Sequence, residues 1–478
     1  MICILTNFLS LLLRAHFKNN KAGRMHSQNH FHVIKDPVHG VMQFSDKENN
    51  WIKPFINHPH FQRLRHVRQV GMADLIFPGA VYTRFNHSLG CCYIGSQIAN
   101  KISLIDEEKQ LVILACLLHD IGHGPFSHAF ENLFYKKCIR HEEWTPHFLQ
   151  EFNNEDFISK YNEDNQYFPL NAEKFEAIEQ MIMHRYTKNK LLSDIVSSQL
   201  DADRLDYLLR DSHFCGVKYG EFDLRWMLHC LTPIKTEDGL RLGITKKGIG
   251  VVEHYLVARW LMIRNIYHHD KKHAAEHLLA NFLMQLAKNI PDADFLKPYR
   301  STPLGQLLIN INKFNQKIKE KNPTQKEKEE FLTENFPLYK KLCDYHVLVL
   351  ISELADLEIA HDVVMLAKRI QYRQMPKVLS LDIDQIHDAH VFVEKLSKKF
   401  KATISEWQLE IISAPRLCYA EDIDPIWVLN SSGKISKIHE RSLLVNSMAN
   451  QYEHACLLLV DCELVDMPEI QELIGRYK

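Results

Sequence analysis

At 478 residues with 46% hydrophobic content, the chain is long enough to bury a substantial core, and one extended domain with a smaller second unit is the expected division. Its 58 Lys and Arg against 59 Asp and Glu leave a formal net charge of −1, which offers no global attraction to polynucleotides, so a nucleic acid partner is not implied. The 11 cysteines include no C-x-x-C pair, and Cys91 and Cys92 fall in a helical stretch. They read as reduced thiols in a cytoplasmic protein.

Residues 2–13 are apolar, but the run is too short to span a bilayer, lacks a basic start and is followed by no clear small-residue cleavage site. Residues 1–25 are read as an N-terminal extension, disordered or non-native, with no membrane segment. His32 to Gly40 reads as a short extended segment with a turn at Asp36-Pro37. Helical periodicity then runs from Trp51 to about Ile290, broken by the polar stretch 153–171 and by 231–250, where Leu240, Leu242 and Ile244 alternate as in a small hairpin. The Lys/Glu run from 317 to 330 reads as a solvated helix end and loop, and the helical pattern returns over 336–373. After Gln374-Met375-Pro376, short β-like runs at 378–383, 407–414, 426–429 and 455–460 alternate with helical stretches at 389–400 and 441–452. The predicted fold class is mainly α, with a multi-helix core over 26–375 and a smaller C-terminal α+β lobe over 376–478.

The chemistry concentrates where the apolar run Leu111–Leu118 ends in His119-Asp120 and a glycine-broken turn follows: Ile121-Gly122-His123-Gly124-Pro125-Phe126-Ser127-His128. A buried imidazole beside a buried carboxylate is costly unless each is paired, and a divalent metal satisfies both. Further ligands should then come from other elements. His87, in Arg84-Phe85-Asn86-His87-Ser88, is one candidate. Asp203 is another: leucines at 200, 205, 208 and 209 make an apolar stripe around it, while Asp203, Tyr207 and Asp211, four apart, share a polar face. Taken singly, one of 28 histidines such as His141 reads as an ordinary surface or core residue, Arg84 and Arg204 as salt-bridge partners, and Tyr267 as packing.

Taken together and in order, His87, His119-Asp120 and Asp203 resemble the four metal positions of the HD superfamily of phosphohydrolases, so the helical core is expected to be HD-type. Phe61-Gln62-Arg63-Leu64-Arg65, Phe77-Pro78-Gly79-Ala80, Arg84 to Ser88 and Gly122 to His128 are similar to the deoxynucleoside triphosphate triphosphohydrolase branch. That branch includes the sterile-alpha-motif and HD-domain restriction factor and its bacterial relatives. The match runs from about Val33 to about Lys271.

The resemblance implies hydrolysis of a dNTP to deoxynucleoside and inorganic triphosphate, by a metal-activated water attacking the α-phosphorus. The implied cofactor is one divalent transition metal (Mn, Fe, Co, Ni or Zn), with additional Mg bound to the nucleotide. It implies His123 as general acid, with His128, His141 and Glu142 around it. Phosphate binding is implied for Arg84, Arg204, which stands where the family has lysine, and Arg259; Tyr207 and Asp211 would contact phosphate and sugar, and Gln69 and Val70 the ribose. Arg259, Tyr267 and His269 match a segment that covers the base and phosphates.

An activator nucleotide between subunits is implied near Val33, Asn57, Gln62 and Arg65. Asn57 replaces an aspartate that reads guanine, and an amide offers one acceptor and one donor where a carboxylate offers two acceptors, so GTP activation is not carried over; another activator, or none, stays open. The implied partners are a dNTP, an activator nucleotide and further copies of the chain in a dimer or tetramer, and the resemblance implies that the lobe over 376–478 supports oligomerisation and regulation. Two other readings use the same residues: an HD phosphodiesterase or nucleotidase acting on other nucleotides, and a non-catalytic nucleotide-sensing assembly protein.

Overall fold

Three helices build the inner layer. Arg84–Lys101 packs along both Asp106–Leu118 and Ala202–Cys215. The computed structural model describes residues 32–44, 46–318, 321–401 and 403–477, and the expected extension over 1–25 lies outside them. Close approach follows from small residues: a Cβ on Gly95 would stand 2.8 Å from Cys116 Sγ. Asp106–Leu118 carries Asp106, Glu107 and Glu108 in its first turn, where the helix dipole favours them, and is buried from Val112 to Leu118, as suits a helix apolar all round. Ala202–Cys215 starts at Asp201, whose carboxylate accepts the Arg204 N–H at 2.6 Å, and stops at Gly216, with φ of 72° in the left-handed region.

Ile249–Met262, a single π turn over Ile263–Tyr267, and Asp270–Asn289 cover one side of this layer, and outer helices such as Gln325–Tyr339 and Asp344–Ala355 close another. Two expectations change. The polar stretch 153–171 holds the helix Glu155–Asp164, because Asn154 caps it and Phe157, Ile158 and Tyr161 turn inward while its charges face water. Of the Lys/Glu run, 317–318 end the helix Pro303–Ile318 and 321–324 are loop as expected, but 325–330 begin the helix Gln325–Tyr339, which opens with a Thr324/Glu327 capping box.

Strands sit at the margins. β1 (His32–Asp36) and β2 (Gly40–Phe44) form an antiparallel hairpin. β3 (Leu231–Thr236) and β4 (Gly239–Thr245) form the hairpin that the alternation suggested. In the C-terminal region, β5 (Lys377–Leu381) and β6 (Leu409–Leu417) flank β9 (Tyr452–Val460), and Ile386–Lys399 and Pro468–Arg476 cover that sheet with Leu396, Leu458 and Leu473 in its own apolar cluster. β7 (Trp427–Leu429) instead runs parallel to β4, with β8 (Ile435–Lys437) outside it, so the second sheet is ordered β3-β4-β7-β8. The fold is mainly helical with a small C-terminal α+β region. Among the described residues no disulfide joins the cysteines, and no helix is long and apolar enough to cross a membrane.

Candidate active site

Each inner helix contributes an end. His87 lies in the first turn of Arg84–Lys101, His119 and Asp120 follow Asp106–Leu118, and Asp203 lies in the first turn of Ala202–Cys215. His87 Nε2 is 2.9 Å from Asp203 Oδ1 and 3.7 Å from Asp120 Oδ2, and His119 Nε2 is 3.4 Å from Asp120 Oδ1 and 3.7 Å from Asp203 Oδ1. Both rings are held from behind: His87 Nδ1–H donates to Asp206 Oδ2 at 2.8 Å, and His119 Nδ1–H to the Cys116 carbonyl at 2.8 Å. That assignment turns both Nε2 lone pairs toward the carboxylates, the usual arrangement behind a metal-ligating histidine.

His119 Nε2 is buried without a hydrogen-bond partner, an uncompensated cost that a cation removes. Burial lowers the pKa of His87, but hydrogen bonds to Asp203 and Asp206 outweigh it and push the value up to about 10, so the surroundings strongly favour positive charge there. His87, His119 and Asp203 bring donor atoms close enough together for a single divalent cation, while Asp120 reaches both imidazoles through different oxygens and also groups with His123 and His141. Cys91 Sγ is also close, but it is 3.5 Å from both ring nitrogens of His87, over the ring rather than in line with a lone pair, and burial raises its pKa well above the ordinary thiol value. It is the weaker donor.

The turn after Asp120 folds tightly: a Cβ on Gly122 would lie 2.3 Å from the His141 carbonyl, and one on Gly124 would lie 2.7 Å from Tyr339 Oη. This brings three imidazoles together. His123 stacks on His141 with centroids 3.5 Å apart and planes 18° apart, and His128 meets them edge-on at 5.4 and 5.3 Å. Glu131 Oε1 accepts from His141 Nδ1 at 2.6 Å, and His123 Nε2 lies 3.3 Å from Asp120 Oδ1. Burial, then the charges of Arg84 and His141, hold the pKa of His123 well below its ordinary value.

A cavity of about 440 Å³ opens over these groups, lined by Gln69, Val70, Arg84, Asp120, His123, His128, His141, Asp203, Tyr207, Asp211 and Tyr267 among the residues read from sequence. Arg84 Nη1 donates to Asp120 Oδ2 at 2.6 Å and its Nε to Ser127 Oγ at 2.8 Å. Asp211 accepts from the hydroxyls of Tyr82 and Tyr267, and burial pushes its carboxyl up to about 6 against those bonds.

Other expected residues stand elsewhere. Glu142 lies beside His141, 3.4 Å away, outside the lining. Arg204 turns to Gln199 Oε1 at 3.2 Å and Asp201 Oδ2 at 3.3 Å, and Arg259 Nη1 donates to the Cys418 carbonyl at 3.3 Å. His269 caps Asp270–Asn289 and packs edge-on against Phe77 at 5.6 Å. Val33 is exposed on β1; Asn57 borders a separate cavity with Lys53 and Lys160; Gln62 binds the Ile56 carbonyl at 2.6 Å; and Arg65 lies 3.5 Å over the Phe85 ring.

Sequence reasoning missed Gly71, Phe126, Ser127, Lys272 and Glu276 in the cavity wall. Lys272 Nζ donates to Glu276 Oε1 at 2.5 Å, and an i,i+4 Lys/Glu pair looks in sequence like any solvated helix face. It also missed Asp206, although Asp206 stands three residues after Asp203 on the same helix.

Residues 84–211 match the HD domain family. The chain is 36% identical over 269 residues to the uncharacterized protein YwfO of Bacillus subtilis, covering 55% of this chain and 58% of that one, and so spans under two thirds of that relative's length. It is 33% identical over 200 residues to the deoxynucleoside triphosphate triphosphohydrolase SAMHD1 homolog of Dictyostelium discoideum, covering 38% of this chain and 36% of that one. Among solved structures, a phosphohydrolase from Bacteroides thetaiotaomicron superposes with a TM-score of 0.70 at 25% identity, over 90% of this chain and 100% of that one. The donor groups His87, His119, Asp120 and Asp203 all lie within the matched region, and the structure shares its fold with that phosphohydrolase.

Proposed function

We propose that the chain hydrolyses deoxynucleoside triphosphates to deoxynucleoside and inorganic triphosphate. The observation that carries this is one cavity whose wall joins Asp120 and Asp203, the carboxylates that contact His87 and His119 behind them, to the Arg84 guanidinium and the stacked pair His123/His141. A bound divalent cation there supplies Lewis acidity and a water of lowered pKa.

The chain's own residues do the rest. Arg84, fixed by Asp120 and Ser127, presents its planar charge to the phosphates. Glu131 anchors His141, and His141 holds the His123 ring by stacking, which aims His123 as proton donor to the leaving ester oxygen. A polyanion beside His123 raises its pKa and so opposes the burial and cationic neighbours that lower it. Tyr207, Asp211 and Tyr267 form the wall against which the nucleoside is held. Similarity to the SAMHD1 homolog supports the triphosphate substrate.

Incubating metal-loaded protein with each dNTP and separating the products is the test. Deoxynucleoside plus inorganic triphosphate is expected. Pyrophosphate with monophosphate, or no turnover with any nucleotide or activator mixture, overturns the proposal.

A further inference from the structure

Behind His87 lies a buried polar network that takes no part in the cavity wall. Asp206 is fully buried and accepts four hydrogen bonds: from His39 Nε2 at 2.5 Å, His87 Nδ1 at 2.8 Å, Arg210 Nε at 2.8 Å and Arg210 Nη2 at 2.9 Å. His39 and Arg210 share one carboxylate oxygen, while His87 and the other arm of Arg210 share the second. Arg210 reaches on to Asp36 Oδ2 at 2.8 Å, and Asp36 Oδ1 accepts the N–H groups of Val38 and His39, each at 2.9 Å, which closes the turn between β1 and β2. The backbone leaves room for this: a Cβ on Gly90, one turn along from His87, would sit 1.9 Å from Asp206 Oδ1.

A buried ionic network is poor support for stability, because well-packed apolar groups do as well or better. Its placement against the rear nitrogen of a metal-site imidazole gives it another use. We propose that His39 and Asp206 are positioning residues for His87, so that the N-terminal hairpin forms part of the support of the metal centre. Asp206 takes the Nδ1 proton and thereby fixes the tautomer that points Nε2 forward. His39 pins the far oxygen of Asp206, so the carboxylate cannot swing about its Cβ–Cγ bond and turn His87 with it. The hairpin that delivers His39 exposes Val33 and Val41 on its outer face, which places it between solvent and the back of the cluster.

This inference rests on the metal reading above, and the test separates the two. Metal-stripped full-length protein is titrated with Co²⁺, and both the dissociation constant and the visible absorption spectrum of the bound ion are followed. His39→Ala is expected to weaken Co²⁺ binding roughly 10- to 100-fold and to alter the spectrum, with the circular dichroism of the folded chain retained. His39→Gln, which returns an N–H donor at that reach, is expected to recover most of the affinity. Wild-type affinity and spectrum in His39→Ala overturn the relay while leaving the metal site standing. Should His39→Ala fail to fold, Asp206→Asn is read in the same way, and wild-type behaviour there is equally fatal. If the wild-type chain takes up no Co²⁺, or Asp203→Ala binds it as tightly as wild type, the metal site itself falls and the relay with it.

Discussion

The carboxylate of Asp344 accepts the backbone N–H of Phe126 at 2.7 Å across 218 residues of sequence, and its other oxygen accepts the Arg68 N–H at 2.9 Å. Phe126 and Ser127 both hold left-handed φ, at 52° and 53°, a conformation that costs about 1–3 kcal/mol each unless the surroundings impose it. Asp344 is one of the groups that impose it, and Ser127 in turn anchors Arg84. Asp344→Ala leaves two N–H donors without their acceptor, at roughly 1–3 kcal/mol apiece where they are buried. A lowered melting temperature and a fall in turnover are expected together. Unchanged turnover in the folded variant would show that the turn holds itself.

Asp203→Ala removes one of four donors at the cluster. Bound metal and activity are expected to disappear together, read by elemental analysis beside the product assay. A fully active variant would refute the placement of Asp203 among the ligands.

Arg84→Ala separates a triphosphate hydrolase from a phosphodiesterase or nucleotidase built on the same ion. Loss of a charge-assisted phosphate contact of about 2–4 kcal/mol should lower kcat/KM for a dNTP by roughly 30- to 1,000-fold. A phosphodiester substrate, if cleaved at all, should lose far less. An equal loss on both would favour the general reading.

Stability should fall on the acid side. His58 and His268 have their pKa values brought down to about 4, in each case first by burial and then by a neighbouring imidazole, His60 and His273 respectively. The unfolded chain takes up these protons as pH drops through about 6.5, whereas the folded chain refuses them until about 4, so the unfolded state gains on acidification. Linkage would have each group remove about 2 kcal/mol by pH 5, and solvent screening of these half-exposed rings brings that to roughly 1 kcal/mol. Melting curves at pH 7.5 and pH 5 measure this, and His268→Gln should flatten the difference; an identical slope in that variant counts against the assignment.

Gly90→Ala should be severe for one added methyl. The new Cβ would overlap Asp206 Oδ1 and stand 2.5 Å from Arg210 Nη2, both fully buried. A loss of about 3 kcal/mol or more is expected in chemical denaturation, and a near-neutral result would mean that the helix can shift there.

The cluster was legible because its chemistry is local. His119-Asp120 ends an apolar run, and Asp203, Tyr207 and Asp211 recur at helical spacing, so both the need for a cation and the face that meets it are written in short stretches. Strand and helix alternation after residue 376 was legible for the same reason. Arg204 shows the limit: one position along from Asp203, it rotates about 100° away and finds Asp201 and Gln199 instead of the cavity. His39 was not legible because its partner Asp206 becomes a neighbour only after chain folding, and Lys272 because its pairing with Glu276, four residues on, carries no mark that sets it apart from a solvated helix face. The helix at 155–164 was hidden by its charged face, although Asn154 stood as its cap.

β7 lies beside β4 in parallel register, with Gly243 so close that a Cβ would be 2.6 Å from the Trp427 carbonyl. The last hundred residues are therefore no detachable appendage. A protein cut at 375 would lose β7 and leave 243–245 as a bare, sticky border, and such a fragment is expected to clump on expression rather than yield a trimmed enzyme.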